Sequence, residues 1–391
     1  MAGSKAGRAS RAMLTAQRPL AAQATESEAL SVTHWFDAKN EGEPYSATVR
    51  FSGHRIGISG KPTPRDTFAK EETIDGIVPG SGRVSITSLA YGLEPGEWTV
   101  TADLLRHASH AGGHLSADHL SRIGAQPLPR AAWSWRRWAL ENGAYSPVKT
   151  RWGPLVRMTR VPAVIHGSWS GLIAVGVLVG AAVQATLLAH ANVPVGLALI
   201  VDLLALVSGL LLAKLWYLAL RPPRSWRQSI GEGWTVDGLL FAAPAVGAVA
   251  LLAFNLPIGV FLDASAPALF FGVAIGRLGC FFTGCCAGRC TRSRWGIWSS
   301  DRRVGARRIP TQLLESATGL LIGAVATLLV LRLASAPGAV FVAAVAAYVA
   351  VRQFLLRLRA EPHNPIRVRL TAAAAALVLV ADGVVLVLSR R

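Results

Sequence analysis

The chain is poor in several residue types, and each scarcity narrows what it can be. It has only 4 Cys, 3 Met and 5 Tyr in 391 residues. The four cysteines sit together in GRLGCFFTGCCAGRC (276–290), so no disulfide framework spreads through the chain as it does in small secreted scaffolds. Charged residues make up just 16% of the sequence, which argues against a disordered or ordinary soluble protein. Acidic side chains are the scarcer sign, 22 against 40 Lys+Arg, leaving a formal net charge of +18. Neither zinc-finger spacing nor an RNP-type aromatic pattern accompanies those arginines, so no nucleic acid partner is expected. They fall at the ends of apolar runs and between them, where anionic lipid headgroups are the natural partner.

The first 160 residues lack long apolar runs. Residues 1–30 are small, polar and basic with no apolar h-region, so an ordinary signal peptide is not expected and a disordered basic tail is. Strand-like runs follow within 31–105: SVTHWF, YSATVRF, RVSITSL and EWTVTADL, separated by NEGEP, SGKPTP, VPGSG and LEPGE turns. Val84, Ile86 and Leu89, with Trp98 and Val100, are expected on one buried face. YGLEPGEWTVTADLL reads as the closing hairpin of a small sandwich-like β domain. Residues 106–160 read as linker and interfacial segment. His107, His110, His114 and His119 match no ligand spacing there, and WSWRRWALENGAYSPVKTRW carries the Trp and Arg that favour a headgroup zone.

After residue 160 it is long polar stretches that are missing. Mean hydropathy for the whole chain is +0.39. Seven apolar runs reach the roughly 20 residues a hydrocarbon core demands, at about 163–188, 195–220, 236–256, 265–286, 311–332, 338–356 and 370–388. They do not alternate as barrel strands would. The expected fold is an all-α polytopic membrane protein of seven transmembrane helices (161–391) behind a small N-terminal β-rich domain, placed in the cell membrane.

Ionisable groups inside apolar runs are costly and mark function or local pairing. Asp202, Lys214, Asp237, Arg277, Glu315, Arg352 and Asp382 fall in this class. Arg277 stands out because it ends APALFFGVAI between Gly276 and Gly279, where a guanidinium offers a rigid bidentate fork to a phosphate. The connection between the fourth and fifth runs adds Arg289, Arg292, Arg294, Arg302, Arg303, Arg307 and Arg308 against the lone Asp301. That is either a cytoplasmic positive-inside loop or a phosphate-handling site.

Three segments together resemble the prolipoprotein diacylglyceryl transferase family: GRLGCFFTGCCAGR on the fourth helix, RIPTQLLE opening the fifth, and EGWTVDGLLFAA opening the third. The frame of Gly276, Arg277, Gly279, Gly284, Gly288 and Arg289 fits, as do Pro310, Gln312 and Glu315. The chain departs from the family at Cys280 (usually Asn), Cys285 (usually Glu), Asp237 (a catalytic His), Ile309 (His) and Leu314 (Tyr). The resemblance implies transfer of a diacylglyceryl group from phosphatidylglycerol to the lipobox cysteine of a preprolipoprotein, whose signal peptide is then a partner. It implies Arg277, Asp237 and Glu315 in catalysis, Asp237 standing in for the His as base. Gly276, Gly279, Gly288, Arg289, Arg308 and Gln312 would bind substrate, with no cofactor. The departures leave two alternatives open: a lipid-binding accessory protein without the reaction, or a membrane enzyme using Cys285 or Cys286 as its thiol. Sidedness is open as well, since the positive-inside rule puts the basic connections in the cytoplasm and the resemblance puts the fourth–fifth connection outside.

The spacing C-x4-C-C-x3-C lacks paired C-x2-C knuckles, so no metal site is expected from it. A disulfide would need an oxidising compartment, and free cysteines can also serve as small packing residues.

Overall fold

The computed structural model describes residues 28–107, 121–127, 129–134, 139–145, 147–159, 161–220, 235–332 and 336–388. The basic tail before residue 28, three of the four linker histidines (His110, His114, His119) and the Arg-rich connection at 221–234 lie outside them.

Five strands open the described chain: β1 (Glu28–Asp37), β2 (Tyr45–Arg55), β3 (Thr67–Ile77), β4 (Arg83–Tyr91) and β5 (Glu97–His107). Four of them match the expected runs. β3 went unread because TFAKEETIDGI has four charges, with Lys70, Glu71 and Asp75 exposed, and Ile74 and Ile77 share the buried positions with the charged Glu72. Strands β6 (Ser121–Pro127), β7 (Pro129–Ser134), β8 (Ala139–Tyr145), β9 (Val148–Lys149) and β10 (Arg151–Trp152) follow. Three of these draw the expected linker into the fold, β6 and β9 pairing with β5 and β10 with β1. The two main sheets run β10-β1-β4-β12-β11 and β3-β2-β5-β6. One core joins them, with Val32, Ile86, Val49, Phe51, Trp98 and Leu104 all buried.

Two expectations are corrected here. β4 and β5 do not form a hairpin: they belong to different sheets, and YGLEPGEW carries the chain across the sandwich. Leu89 does not share the face of Val84 and Ile86. A strand alternates with period two, so Ser88 and Ala90 take that face and are buried, while Leu89 is only half-buried.

Helix α1 (Gly153–Thr159) leads into the apolar helices α2 (Ser168–His190), α3 (Val195–Leu220), α4 (Val236–Ala253) and α5 (Ile258–Thr283). The β11 (Ile297–Ser300)–β12 (Val304–Arg308) hairpin comes next, then α6 (Thr311–Arg332), α7 (Ala339–Leu356) and α8 (Pro365–Leu388). Six of these helices are long and apolar enough to cross a membrane, and α4 is a shorter apolar helix. Their outer faces are bare leucine and valine, such as Leu178, Leu211, Leu321 and Leu377, as a lipid solvent requires. The protein is therefore a multi-pass membrane protein. Its centre is α5, packed on α2 on one side and on α6 and α7 on the other. Small residues allow that approach: a Cβ on Gly176 would stand 2.9 Å from the Gly272 carbonyl oxygen, and one on Gly180 as close to that of Ala268.

Charges inside the bundle are mostly accounted for locally. Gln184 of α2 donates to Asp202 of α3 (3.4 Å) and to Ser265 of α5 (2.9 Å). Asp263 accepts from the backbone of Gly338 (2.7 Å) and Phe341 (3.0 Å), capping α7, a helix N-terminus being favourable to a carboxylate.

The two halves are joined by a sheet. β12 pairs with β4, Val304 opposite Ile86 and Gly305 opposite Ser85, so the connection between α5 and α6 completes the N-terminal sandwich. Trp298 stacks on Trp35 at 5.3 Å and donates to the Arg83 carbonyl at 3.0 Å. Arg303 reaches the Thr73 carbonyl (3.2 Å) and Glu72 (3.8 Å).

Candidate active site

The last turn of α5, the first turn of α6 and the segment after α7 converge at the membrane end nearest the sandwich. Arg277 sits one and a half turns before the end of α5. Its Nε meets Oε2 of Glu315 at 2.7 Å, and Glu315 is wholly buried. Arg359 NH2 meets the other carboxylate oxygen at 2.6 Å and is itself 5% exposed. Two guanidiniums thus share one buried carboxylate, and the exposed Glu361 stands 4.0 Å from the NH1 of Arg359. Buried charges persist only when paired and hydrogen-bonded, so inside the protein this cluster holds more positive charge than negative. The Tyr348 hydroxyl of α7 also lies beside Arg277.

Backbone pairing sets Arg359 in place. Gly288 bridges Arg359, Arg289 N–H donates to the Leu358 carbonyl (2.9 Å), and Ala360 N–H to that of Ala287 (3.0 Å). On the other side Ile309 N–H donates to the Arg289 carbonyl (3.0 Å) and Cys290 bridges Arg308. Residues 287–290 are therefore held between two extended segments. Gly288 is required by that closeness, because a Cβ would collide with the Ile309 carbonyl. The remaining predicted ligands play supporting parts. Gln312 donates to the Cys285 carbonyl (2.9 Å) and Thr311 to that of Cys286 (3.2 Å). Arg289 is exposed, with its Nε on the Arg359 carbonyl (3.1 Å). Arg308 is buried among Asp301 (2.8 Å) and the carbonyls of Gly288 (3.2 Å) and Val304 (3.3 Å). Gly276 and Gly279 face α2, where a Cβ on either would stand 3.0 Å from Ile173 and Trp169 respectively. Asp237 is exposed on α4, a helix packed on α3 that barely touches α5. Among the described residues no bond joins it to the arginines.

Sequence reasoning missed Arg359, hidden in the run RLRAEPHN where it looks like one more basic loop residue, and Tyr348. It also missed a convergence of sulfur. The Cys280, Cys285 and Cys286 sulfurs lie within 4.8 Å of one another. Gly284, with φ of 71°, ends α5 in the left-handed region, and Cys286 takes φ of 55°, so the chain folds back on the helix end. Linear spacing cannot show that reversal. All four cysteines are free thiols. The Cys286 thiol is drawn well below the ordinary thiol range by hydrogen bonds from the Cys280 and Cys285 sulfurs, against burial, with Arg359 and Arg277 adding their charge. The Cys285 thiol is pushed up by its hydrogen bonds to Cys280 and Cys286 and by burial. A cavity of about 340 Å³ opens onto Cys285 and Cys286, lined also by Gly284, Asp301, Arg302 and Glu361.

The prolipoprotein diacylglyceryl transferase family pattern matches residues 160–389, which take in every membrane helix, the arginine pair and the sulfur cluster. The chain belongs to that family. Curated phosphatidylglycerol–prolipoprotein diacylglyceryl transferases from two strains of Dehalococcoides mccartyi are 32% identical over 105 residues, 25% of this chain and 39% of each relative. The same enzyme from a third strain is 30% identical over 124 residues, 29% of this chain and 46% of the relative. The chain thus aligns with less than half the length of these curated members. The family is one of transferases by its description.

Proposed function

We propose that the protein transfers a diacylglyceryl group from phosphatidylglycerol to the lipobox cysteine of preprolipoproteins at the plasma membrane. The observation that carries this reading is the Arg277–Glu315–Arg359 cluster, in which two guanidiniums share one buried carboxylate while the further acid, Glu361, is exposed and 4.0 Å from Arg359, at the end of the bundle where a phospholipid headgroup would lie. A guanidinium pair is suited to a phosphate by geometry as well as charge. As the sulfur–carbon bond forms, the carbon–oxygen bond to the phosphate breaks. Glycerol phosphate gains negative charge as it leaves, which fixed cations stabilise more than they stabilise the intact diester. Glu315 orients both arginines. The other substrate-binding assignments become positional: Gln312 and Gly288 hold the 285–289 turn, and Arg308 holds the hairpin behind it.

The reading predicts that Arg277→Ala abolishes lipoprotein lipidation in cells depleted of their own transferase. Full activity of that variant would overturn it. A second reading, a lipid binder without the reaction, is favoured by Asp237 lying apart from the cluster. Labelled phosphatidylglycerol separates the two. Label on a lipobox peptide supports transfer, label on the protein's own cysteine supports a thiol enzyme, and bound but untransferred lipid supports the binder.

Seven crossings are part of the same proposal. Four helices, α2 to α5, lie between the sandwich and the β11–β12 hairpin, and the two share a sheet. An even number of crossings must separate them, so the shorter α4 crosses too; its 18 residues span about 27 Å at the usual helical rise. We place the shared side outside. Several arginines of the hairpin that suggest a cytoplasmic loop are used within the fold, Arg303 on Glu72 and Arg308 on Asp301. Glu43→Cys, on the exposed β1–β2 connection, should react with a membrane-impermeant maleimide in intact cells, with the wild type as blank. Reaction only after lysis would reverse the orientation.

A further inference from the structure

We propose that Cys280, Cys285 and Cys286 form a three-sulfur site for a thiophilic d10 cation such as zinc, with the fourth position open for the acceptor thiol. The second half of this inference rests on the transferase reading above; the first half does not.

Three sulfurs within 4.8 Å of one another are a soft donor set. A tetrahedral centre with bonds of about 2.3 Å would set them about 3.8 Å apart, so closure asks for about an ångström of side-chain movement. The turn that assembles the set is built for it rather than incidental. Gly284 caps α5 in the left-handed region, Cys286 occupies that region although it carries a Cβ, and α6 fixes both cysteine carbonyls through Gln312 and Thr311. Cys280 is buried and the other two are half-buried against the cavity, which leaves one side of the set accessible. Three protein ligands and one open position is the pattern of catalytic rather than structural zinc. The neighbouring charges suit it as well: three thiolates around a divalent cation carry one net negative charge, and the neighbouring Arg277 and Arg359 share the one buried carboxylate of Glu315.

The site supplies what the arginine cluster lacks. An acceptor thiol must lose its proton near neutral pH from an ordinary pKa of about 8.5. Glu315, the buried carboxylate, is tied to two arginines, and Asp237 lies apart. Coordination deprotonates a thiol outright. The proton passes to Glu361 at the cavity wall, the sulfur lone pair forms the bond to the glyceryl carbon, and the carbon–oxygen pair departs with the phosphate. Nothing is oxidised or reduced.

The test is a cobalt(II) titration of the full chain, purified in detergent with a phosphine reductant. The wild type is expected to bind one cobalt per chain with a sulfur-to-cobalt charge-transfer band. Cys286→Ser and Cys280→Ser should each lose at least tenfold in affinity, and Cys290→Ser, outside the cluster, should keep it. A cysteine lipobox peptide should shift the ligand-field bands and its serine counterpart should not. X-ray absorption of the wild-type zinc form should count three sulfurs at about 2.3 Å, which guards against variants that fail to fold. No saturable binding, equal binding in both Cys→Ser variants, or one sulfur or none in the absorption spectrum overturns the site. Bands that ignore the peptide overturn the open position. Wild-type lipidation without metal binding would sink this inference alone, and metal binding without lipidation would sink the transferase reading alone.

Discussion

Arginine meets carboxylate at two places around the fourth–fifth connection, Arg308 on Asp301 and Arg277 with Arg359 on Glu315, and the two differ in charge. Around Arg308 the charge is even: one guanidinium and one carboxylate from Asp301, with the carbonyls of Gly288 and Val304 also on its terminal nitrogens. Around Glu315 it is uneven inside the protein, two guanidiniums to one buried carboxylate, with only the exposed Glu361 beyond it at 4.0 Å from Arg359. A neutral pair holds a hairpin shut. A cluster richer in guanidinium than in buried carboxylate suits an anion. Arginine count alone, which is what the sequence offers in this connection, cannot separate scaffold from site; the placement of two acidic residues does.

The comparison breaks most forcibly at Glu315. Glu315→Gln keeps the volume but strips the carboxylate from the buried Arg359 and the half-buried Arg277. Removing one partner of a buried pair costs about 3–5 kcal/mol, enough to lower the folded amount in membranes severalfold. Thermal unfolding in detergent, followed beside lipidation, should show both falling together. A Glu315→Gln protein as stable as wild type would mean that the two arginines are not held by this carboxylate.

Arg308→Met is the matching change at the scaffold. Asp301 keeps its backbone donors, the Arg303 and Val304 N–H groups at 3.2 and 2.8 Å, and is a third exposed on its side chain. The carbonyls of Gly288 and Val304 lose a donor. The expected cost is about 1–3 kcal/mol, seen as faster proteolysis of the 297–308 hairpin, with lipidation per folded molecule retained. Loss of lipidation with an intact hairpin would move Arg308 into the phosphate site and erase the distinction drawn above.

How far these features could be read from residues alone follows from their range. The membrane helices were legible because hydropathy is a local signal, and four strands because period-two alternation and turn chemistry are local too. β3 was hidden by its charged outer face, and the β4–β5 hairpin was misjudged since a short turn does not say whether the chain stays in its sheet. Arg277 and Glu315 were legible as expensive charges in apolar runs. Arg359 was not, because its cost appears only when the segment after α7 pairs with residues 287–289. The sulfur cluster and the sharing of β12 with the sandwich depend on chain reversals, at Gly284 and across more than two hundred residues, that no spacing rule encodes.

The smallest effect tests the same contrast from the solvent side. Arg302 is exposed at the hairpin turn with φ of 77°, and its Nε reaches the Thr283 carbonyl at the end of α5 (3.1 Å). It adds charge to the cavity wall but is paired with no carboxylate among the described residues. Arg302→Ala should change stability by no more than about 0.5 kcal/mol, as surface substitutions usually do, while Arg302→Gly should stabilise slightly relative to Ala because glycine tolerates the left-handed turn. If Arg302 only decorates the wall, the apparent KM for phosphatidylglycerol should shift less than about twofold, a change worth about 0.4 kcal/mol. A tenfold rise with unchanged kcat would instead place Arg302 on the headgroup's path, and the excess positive charge would then extend from Arg277 and Arg359 out to the mouth of the cavity.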